Sequence, residues 1–117
     1  MSQLLTHQDY RRLAQQLKLP AKAFVNGEPY SAQSGATFPT INPATGEVLA
    51  QLPACSAADI DVAVAAARAA WADGRWAKQH PAARKAVLLR LAALIEANAR
   101  ELAVMESLDS GKTIFDC

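Results

Sequence analysis

PAARKAVLLRLAALIEANARELAVMESLDSGK, residues 81–112, is the stretch of sequence that decides the fold. Apolar side chains recur in it at intervals of about three or four residues, which is the spacing of one face of an α-helix. The stripe consists of Val87, Leu88, Leu91, Leu94 and Ile95. Charged residues take the other faces, so the sequence predicts an amphipathic helix.

Three residues mark where helices begin and end in this stretch. Pro81 suits the first helical position, because its missing N–H would have no partner within the helix there. Asn98 predicts a break, because Asn tolerates the left-handed backbone conformation better than most residues do. Gly111 predicts the end of a second, shorter helix, since glycine commonly adopts the left-handed cap. We therefore expect two helices that meet at an angle near Asn98 and close on residues 108–112.

A further long helix is predicted to begin at Ser56 and to end at Asp73-Gly74. The Ser56 hydroxyl can accept a backbone N–H of the first turn, which is the usual role of an N-cap serine. Asp59 and Asp61 lie in that first turn, where negative charge interacts favourably with the helix dipole. Many alanines follow, and they favour helix formation and close packing.

Two β-hairpins are predicted upstream of that helix. Asn26-Gly27 is a two-residue turn signal within Ala23–Tyr30, because both residues tolerate a positive φ. Pro43–Gly46 has the composition of a turn and separates Thr37–Ile41 from Glu47–Leu52. Isolated hairpins are marginally stable in water, so we expect both to lie on another surface.

The N-terminal residues 1–19 show a fourth helical pattern, which Pro20 ends. Its loose apolar stripe consists of Leu4, Tyr10, Leu13, Leu17 and Leu19. We interpret residues 1–22 as a helical arm that packs on another part of the molecule. A partner-binding role for this arm is the alternative.

Composition excludes several classes of protein. The chain has 117 residues and a formal net charge of +1, which is enough for one small domain. A charge this close to zero argues against nucleic acid or an anionic membrane surface as a partner. No apolar run is long enough to span a bilayer, and the N-terminus is too polar for a signal peptide, so we expect a cytoplasmic location. Two cysteines do not make a disulfide framework.

Few residues suggest chemistry of their own. The five glycines are scattered and do not form the Gly-rich loop that holds a phosphate. His7 and His80 are not grouped with other metal-binding side chains, and His80 is an expected helix cap before Pro81. Cys55 lies just before a predicted helix, and Cys117 is the last residue.

Five phrases, taken together, resemble the N-terminal region of NAD(P)-dependent aldehyde dehydrogenases. They are FVNGE at Phe24–Glu28, TFPTINPATGEVLA at Thr37–Ala50, DIDVAVAAARAAW at Asp59–Trp71, GRWAKQHPAARKAVLLRLAALIE at Gly74–Glu96 and MESLDSGK at Met105–Lys112. Each phrase alone is weak, but their order and spacing are specific. The leader QQLKLPAKAFVNGE and residues 108–114 most resemble the subgroup that oxidises amino-aldehydes such as γ-glutamyl-γ-aminobutyraldehyde.

This resemblance implies an α/β fold for the parent enzyme, with a Rossmann-type cofactor domain. Taken alone, the chain is expected to be α+β, with two β-hairpins plus three to four helices. Residues 23–117 would be the front part of the cofactor-binding domain, truncated at the C-terminus, since the family's subunits are several times longer. Residues 113–117 also end without the capping or turn signal that usually ties off a domain.

The parent reaction implied by the resemblance is oxidation of an aldehyde to the carboxylic acid, with NAD or NADP as cofactor. A cysteine thiolate attacks the carbonyl, hydride passes to NAD(P)+, and water releases the acid. The family's catalytic and nucleotide-binding residues lie downstream, so we predict none here and expect the 117-residue chain alone to be inactive. Cys55 is interpreted as structural, and the role of Cys117 stays open.

The implied partners are the remainder of the subunit, further copies in a homo-oligomer and the aldehyde substrate.

The resemblance also implies one site within this chain, for a structural sodium or potassium ion. Its residues would be Thr40, Ile41 and Asp109, because hard monovalent ions take oxygen ligands such as backbone carbonyls and a carboxylate. A further ligand would come from downstream. The alternative is that Asp109 caps its helix or pairs locally, since Lys112 is close in sequence. A lysine at a helix end is favoured by the dipole alone, so Lys112 is not predicted to be catalytic.

A second function from a different class stays open. The chain would then be a genuine short protein that binds something, such as full-length dehydrogenase subunits, through its bare apolar faces. The genomic reading frame separates the two interpretations, because continuation past residue 117 favours the enzyme segment and a stop codon favours the binding protein.

Overall fold

The structure of the protein is a computed structural model that describes residues 5–117, so Leu4 of the predicted arm lies outside the described residues. The described part contains four α-helices and two separate two-stranded antiparallel sheets. The helices are α1 His7–Gln16, α2 Ala57–Ala72, α3 Pro81–Ala97 and α4 Ala99–Ser110; the strands are β1 Ala23–Val25, β2 Glu28–Tyr30, β3 Thr37–Ile41 and β4 Val48–Pro53. The α+β prediction with two hairpins is confirmed.

Asn98 separates α3 from α4, as predicted, but its conformation is different from the one expected. Its φ is −110° and its ψ is 15°, so the backbone is not left-handed. The side chain instead folds back, and its Nδ2 donates to the Leu94 carbonyl at 2.8 Å. The break therefore rests on a hydrogen bond from the Asn98 side chain to the last turn of α3.

The first hairpin turns at Asn26-Gly27, where both residues have positive φ, as predicted. In the second hairpin β3 pairs with β4 from Thr37↔Pro53 to Ile41↔Val48, and the register shifts between Thr40 and Ile41. This shift is a β-bulge, because two residues of β3 face three residues of β4. Bulges re-aim the side chains beside them, and this one lies at two of the residues expected to hold the cation.

The N-terminal arm is a shorter helix than predicted, because α1 ends at Gln16 and the chain from Leu17 onward is extended. Its N-cap is Thr6, whose side chain accepts the Asp9 N–H. The helix packs against α4. Tyr10, Leu13, Ala14 and Leu17 form its half-buried face.

The end of α4 lies against the turn of the second hairpin. Gly111 adopts the left-handed conformation with a φ of 74°, and its N–H donates to the Ser107 carbonyl at 3.0 Å. A Cβ added at Gly111 would lie 2.9 Å from Cγ of Pro43. Glycine at this position therefore permits both the helix cap and the close approach of α4 to the β3–β4 turn.

Replacing Gly111 by Ala is expected to destabilise this junction more than replacing Gly46. Both glycines have a φ near 75°, so either alanine is strained by about 1 kcal/mol. No atom lies within 4 Å of a Cβ at Gly46, whereas Pro43 must move for Gly111→Ala, which adds about 1 kcal/mol or more. Urea unfolding of the natively expressed protein measures the difference, and equal losses for the two variants would show that the Pro43 contact is unimportant.

The apolar surface of the described chain is mostly uncovered. Only Ala32 and Val104 are buried apolar residues among residues 5–117. The predicted stripe of α3 is half exposed or more: Val87 56%, Leu88 57%, Leu91 52%, Leu94 53% and Ile95 50%. The accessible surface is 9036 Å², against about 6,200 Å² for a compact protein of this mass. No helix in residues 5–117 is long and apolar enough to cross a bilayer.

The shape agrees with this open surface. The radius of gyration is 17.8 Å, whereas a compact chain of this length has about 13 Å. The principal extents are 49 × 40 × 20 Å, so the molecule is a flat layer rather than a sphere. Such a layer has too little interior to bury the faces of α2 and α3.

Candidate functional site

The structure brings together two of the three residues predicted for the cation site. Thr40 lies on β3 and Asp109 lies in the last turn of α4, and they are far apart in sequence. The Thr40 hydroxyl donates a hydrogen bond to Oδ1 of Asp109. This contact joins the second hairpin to α4 and places hydroxyl and carboxylate oxygens side by side.

Ile41 follows Thr40 directly and pairs with Val48 across the bulge. Its side chain is 49% exposed and does not line the groove beside Asp109. Its place in the predicted site therefore depends on its backbone carbonyl. The structure therefore places the side chains of Thr40 and Asp109 together, and that of Ile41 outside their groove.

The predicted cation site opens into a groove of about 370 Å³ between the second hairpin and α4. Thr40 and Asp109 line it together with Glu106 and the apolar side chains Leu49, Leu52 and Met105. Across residues 5–117, no group of three or more His, Cys, Asp or Glu could hold a metal ion. The oxygen groups that line it are the Thr40 hydroxyl, the carboxylates of Asp109 and Glu106 and backbone carbonyls, which suit a hard cation rather than a transition metal.

Lys112 pairs with Glu106 and not with Asp109, which was the alternative partner named from the sequence. Its Nζ lies 3.0 Å from Oε1 of Glu106, and this hydrogen bond raises the pKa of Lys112. Asp109 bonds to Thr40 instead. The structure thus leaves the Asp109 carboxylate directed at the hairpin and gives Lys112 a local structural partner.

Asp59 accepts four hydrogen bonds in the described structure, although from the sequence only a role in the helix dipole was expected for it. It is 2% exposed. Its Oδ1 accepts from the Tyr30 hydroxyl at 2.7 Å and from the Gln33 N–H at 2.9 Å. Its Oδ2 accepts from the Ser56 N–H at 2.7 Å and from the Ser56 hydroxyl at 2.9 Å.

These bonds tie the first hairpin and its following loop to the start of α2. The backbone N–H groups of Ser56 and Gln33 and the Tyr30 hydroxyl hold the pKa of Asp59 well below its ordinary value. The same carboxylate raises the pKa of Tyr30. Ser56 and Asp59 have the spacing of a capping box, which is a sequence signal for the local part of this network.

Of the remaining candidates, His80 has a structural role. His80 Nδ1 accepts the Ala82 N–H at 3.2 Å, so its predicted capping role is confirmed. Cys55 and Cys117 are exposed free thiols. The glycines stand singly at turns and helix ends, so the residues present do not fit a nucleotide phosphate cradle.

Comparison with known proteins identifies the family. The family model described as "Aldehyde dehydrogenase family" matches residues 30–117. The chain is 55% identical over 117 residues to aminoacetaldehyde dehydrogenase of Pseudomonas aeruginosa, covering 100% of this chain and 24% of that protein.

Solved structures of aldehyde dehydrogenases match the fold of this chain. The gamma-glutamyl-gamma-aminobutyraldehyde dehydrogenase from Burkholderia cenocepacia has a TM-score of 0.94 at 46% identity, covering 96% of this chain and 23% of that one. The indole-3-acetaldehyde dehydrogenase AldA of P. syringae, solved as a mutant with NAD+ and IAA, has a TM-score of 0.94 at 47% identity, covering 97% and 23%. The chain spans about a quarter of the length of the relatives it matches. The chain belongs to the aldehyde dehydrogenase family.

Proposed function

We propose that this chain works as the front part of an aldehyde dehydrogenase subunit, where it has a structural role. The observation that supports this proposal is its uncovered apolar surface, on a chain that spans about a quarter of its relatives. The remainder of the subunit would cover the faces of α2 and α3. We further propose a cytoplasmic location and assembly into a homo-oligomer, which the sequence resemblance implies.

The proposed reaction oxidises an aldehyde to its carboxylic acid. A thiolate outside this chain adds to the carbonyl carbon, and NAD(P)+ supplies the hydride acceptor when bound. Water then releases the acid and restores the thiol. The residues described here take none of these steps. They hold the hairpins and helices together, through Asp59 at one end and the Thr40–Asp109 contact at the other.

Turnover separates the proposed enzyme from its front part. We expect the natively expressed protein to reduce NAD+ or NADP+ when an aldehyde is added, as followed by absorbance of the reduced nucleotide. The 117-residue chain alone should show no turnover. The proposal is wrong if the native protein oxidises no aldehyde with either nucleotide.

An amino-aldehyde is the proposed substrate. Two similar proteins are named for aldehydes of this kind, aminoacetaldehyde and gamma-glutamyl-gamma-aminobutyraldehyde. A third is named for indole-3-acetaldehyde, which is the comparison substrate. We expect kcat/KM for the two amino-aldehydes to exceed that for indole-3-acetaldehyde by about tenfold or more, which is about 1.4 kcal/mol of transition-state stabilisation. The reverse order would contradict the amino-aldehyde proposal.

We also propose that Thr40, Ile41 and Asp109 contribute to a structural sodium or potassium site. The contact between the Thr40 hydroxyl and the Asp109 carboxylate supports this proposal, because it gathers oxygen groups at the bulge of the second hairpin. Asp109 would supply negative charge, and the carbonyls of Thr40 and Ile41 would supply neutral oxygens. A ligand from outside this chain would complete the set.

The cation site predicts an ion-specific gain in stability. The native protein should melt at a higher temperature in sodium or potassium chloride than in choline chloride of equal ionic strength, because binding to the folded state alone stabilises it. Asp109→Asn should remove most of this difference, whereas Asp116→Asn, another exposed carboxylate near the end of the chain, should keep it. Equal melting temperatures in all three salts would contradict the site.

The stand-alone binding protein is the second candidate, because the same exposed apolar faces could dock on full-length dehydrogenase subunits. It predicts that the purified 117-residue chain co-sediments with a separately expressed dehydrogenase subunit. The front-part proposal predicts that no such separate partner exists in the source, and that the apolar faces are covered within one polypeptide.

A further inference from the structure

The helix that bears Asp109 is held by the N-terminal segment of the chain. We call residues 5–20 the N-terminal clamp. Its helix α1 packs against α4. Tyr10 and Ala14 of the clamp line one side of an apolar groove of about 430 Å³, and Val104 and Leu108 of α4 line the other. Through these residues the clamp covers one face of α4.

Val104, on the face of α4 that lines this groove, is buried. Val104 is 4% exposed and is the larger of the two buried apolar residues in the described chain. By contrast, Leu91 and Leu94 of α3 are more than half exposed. The larger of the two buried apolar side chains therefore lies on the face of α4 that lines the groove with α1.

The extended part of the clamp continues along the next face of α4. Leu17 and Pro20 line a groove together with Leu102 and Met105. Pro20, with Leu19 beside it, then lines the groove that holds Thr40 and Asp109. The clamp thus follows α4 from its middle to the candidate cation site.

Helical spacing connects these contacts to the candidate site. Met105 and Asp109 are four residues apart, so they lie one above the other on the same face of α4. Val104 and Leu108 share the neighbouring face in the same way. Packing by the clamp on Val104 and Met105 consequently fixes the rotation and the height of the helical turn that bears Asp109.

We propose that the N-terminal clamp positions Asp109 against Thr40 and so sets the affinity of the candidate site for a monovalent cation. The clamp acts through α4 and touches no substrate, so its residues are positioning residues. The expected effect on cation affinity rests on the proposed cation site, whereas the expected effect on α4 rests on packing alone.

Paired substitutions in the natively expressed protein test the clamp. The packing variant is Tyr10→Ala with Leu17→Ala, and Leu17→Ala alone serves if the double variant does not fold. The conservative variant is Tyr10→Phe with Leu17→Met, which keeps most of the packing volume. The matched control is Gln8→Ala with Gln15→Ala, on the exposed side of α1.

Hydrogen exchange is the first readout. The packing variant should exchange the amide hydrogens of α4 roughly tenfold faster than the wild type, with those of α2 unchanged. The conservative and control variants should match the wild type. Unchanged exchange in α4, or equal acceleration in α2 and α4, would overturn the proposal, because the clamp would then not hold α4 in particular.

Cation affinity is the second readout. The packing variant should need roughly tenfold more sodium or potassium to reach half of the ion-dependent rise in melting temperature. An unchanged midpoint, in a protein whose α4 does exchange faster, would overturn the link from the clamp to the site. If the wild type shows no ion dependence, the proposed cation site fails, and the exchange result alone decides whether the clamp holds α4.

Discussion

The isolated 117-residue chain is expected not to unfold as a compact monomer. Its accessible surface is 9036 Å², about half as much again as a compact protein of its mass exposes. The apolar faces of α2 and α3 are open, with Trp71 at 66% and Leu89 at 59% exposed. Apolar patches of this extent associate or lose their order in water. Sedimentation velocity and differential scanning calorimetry across a range of concentrations measure the outcome.

Two results are compatible with this account of the isolated chain. Either its sedimentation coefficient rises with concentration, because the open faces pair with one another, or its thermal transition is broad with a small enthalpy. The natively expressed protein is the control and should unfold cooperatively. A sharp cooperative melt of the isolated chain, at a molecular mass of 12.5 kDa and at every concentration, would contradict the account.

Asp59→Asn is expected to be the most damaging single polar substitution in the described part of the chain. The carboxylate accepts from donors on three residues, and an amide keeps only one acceptor oxygen. The new NH₂ group would face the backbone N–H of Ser56 or that of Gln33, which leaves a buried donor unsatisfied. We expect the melting temperature of the native protein to fall by several degrees.

The matched control for this substitution is Asp61→Asn. Asp61 lies two residues further along α2 and is exposed, so it shares the helix dipole but not the buried bonds. Its replacement should change the melting temperature by much less than that of Asp59. Equal losses for the two variants would show that the helix dipole, and not the hydrogen bonds of the Asp59 carboxylate, accounts for the effect.

The hydrogen bonds of the Asp59 carboxylate also predict how stability depends on pH. The folded-state pKa of Asp59 is held below its ordinary value of 3.8, so the folded state favours the charged carboxylate. A group with a depressed folded pKa contributes its full stability above the unfolded pKa and loses it as the pH falls toward the folded pKa. The stability difference between the wild type and Asp59→Asn should therefore be constant above about pH 5 and shrink below about pH 4. Denaturant unfolding from pH 3 to pH 7 measures it.

Local signals explain which elements the sequence could predict. Pro81, Asn98 and Gly111 mark helix boundaries within one or two residues, because each acts on the chain next to it. Asn26-Gly27 predicted its turn for the same reason. The conformation of Asn98 was not predictable, because its side chain chooses between local hydrogen bonds that propensities do not separate.

Long-range contacts explain what the sequence did not reveal. Asp59 bonds to Tyr30 and Gln33, which are 29 and 26 residues away. The residues next to Asp59 in sequence indicate only the start of a helix. Its bonds to Tyr30 and Gln33 can be recognised only once the position of the first hairpin is known. The Thr40–Asp109 contact spans 69 residues, and only the family resemblance connected the two.

The sequence also could not show what covers the apolar stripe on α3. Helical spacing predicts an amphipathic helix, but it does not say which element covers the apolar face. Within residues 5–117, Leu88, Leu91 and Ile95 stay half exposed or more. What covers them is the central question about this chain.

The intact mass of the native protein from its source is the measurement that answers this question most directly. The account predicts a mass about four times the 12.5 kDa of this chain, since the chain covers 24% of a similar aldehyde dehydrogenase. The apolar faces of α2 and α3 would then be covered within one subunit, and the chemistry would lie beyond residue 117. A native mass near 12.5 kDa would contradict the account, and the function would have to be sought in binding.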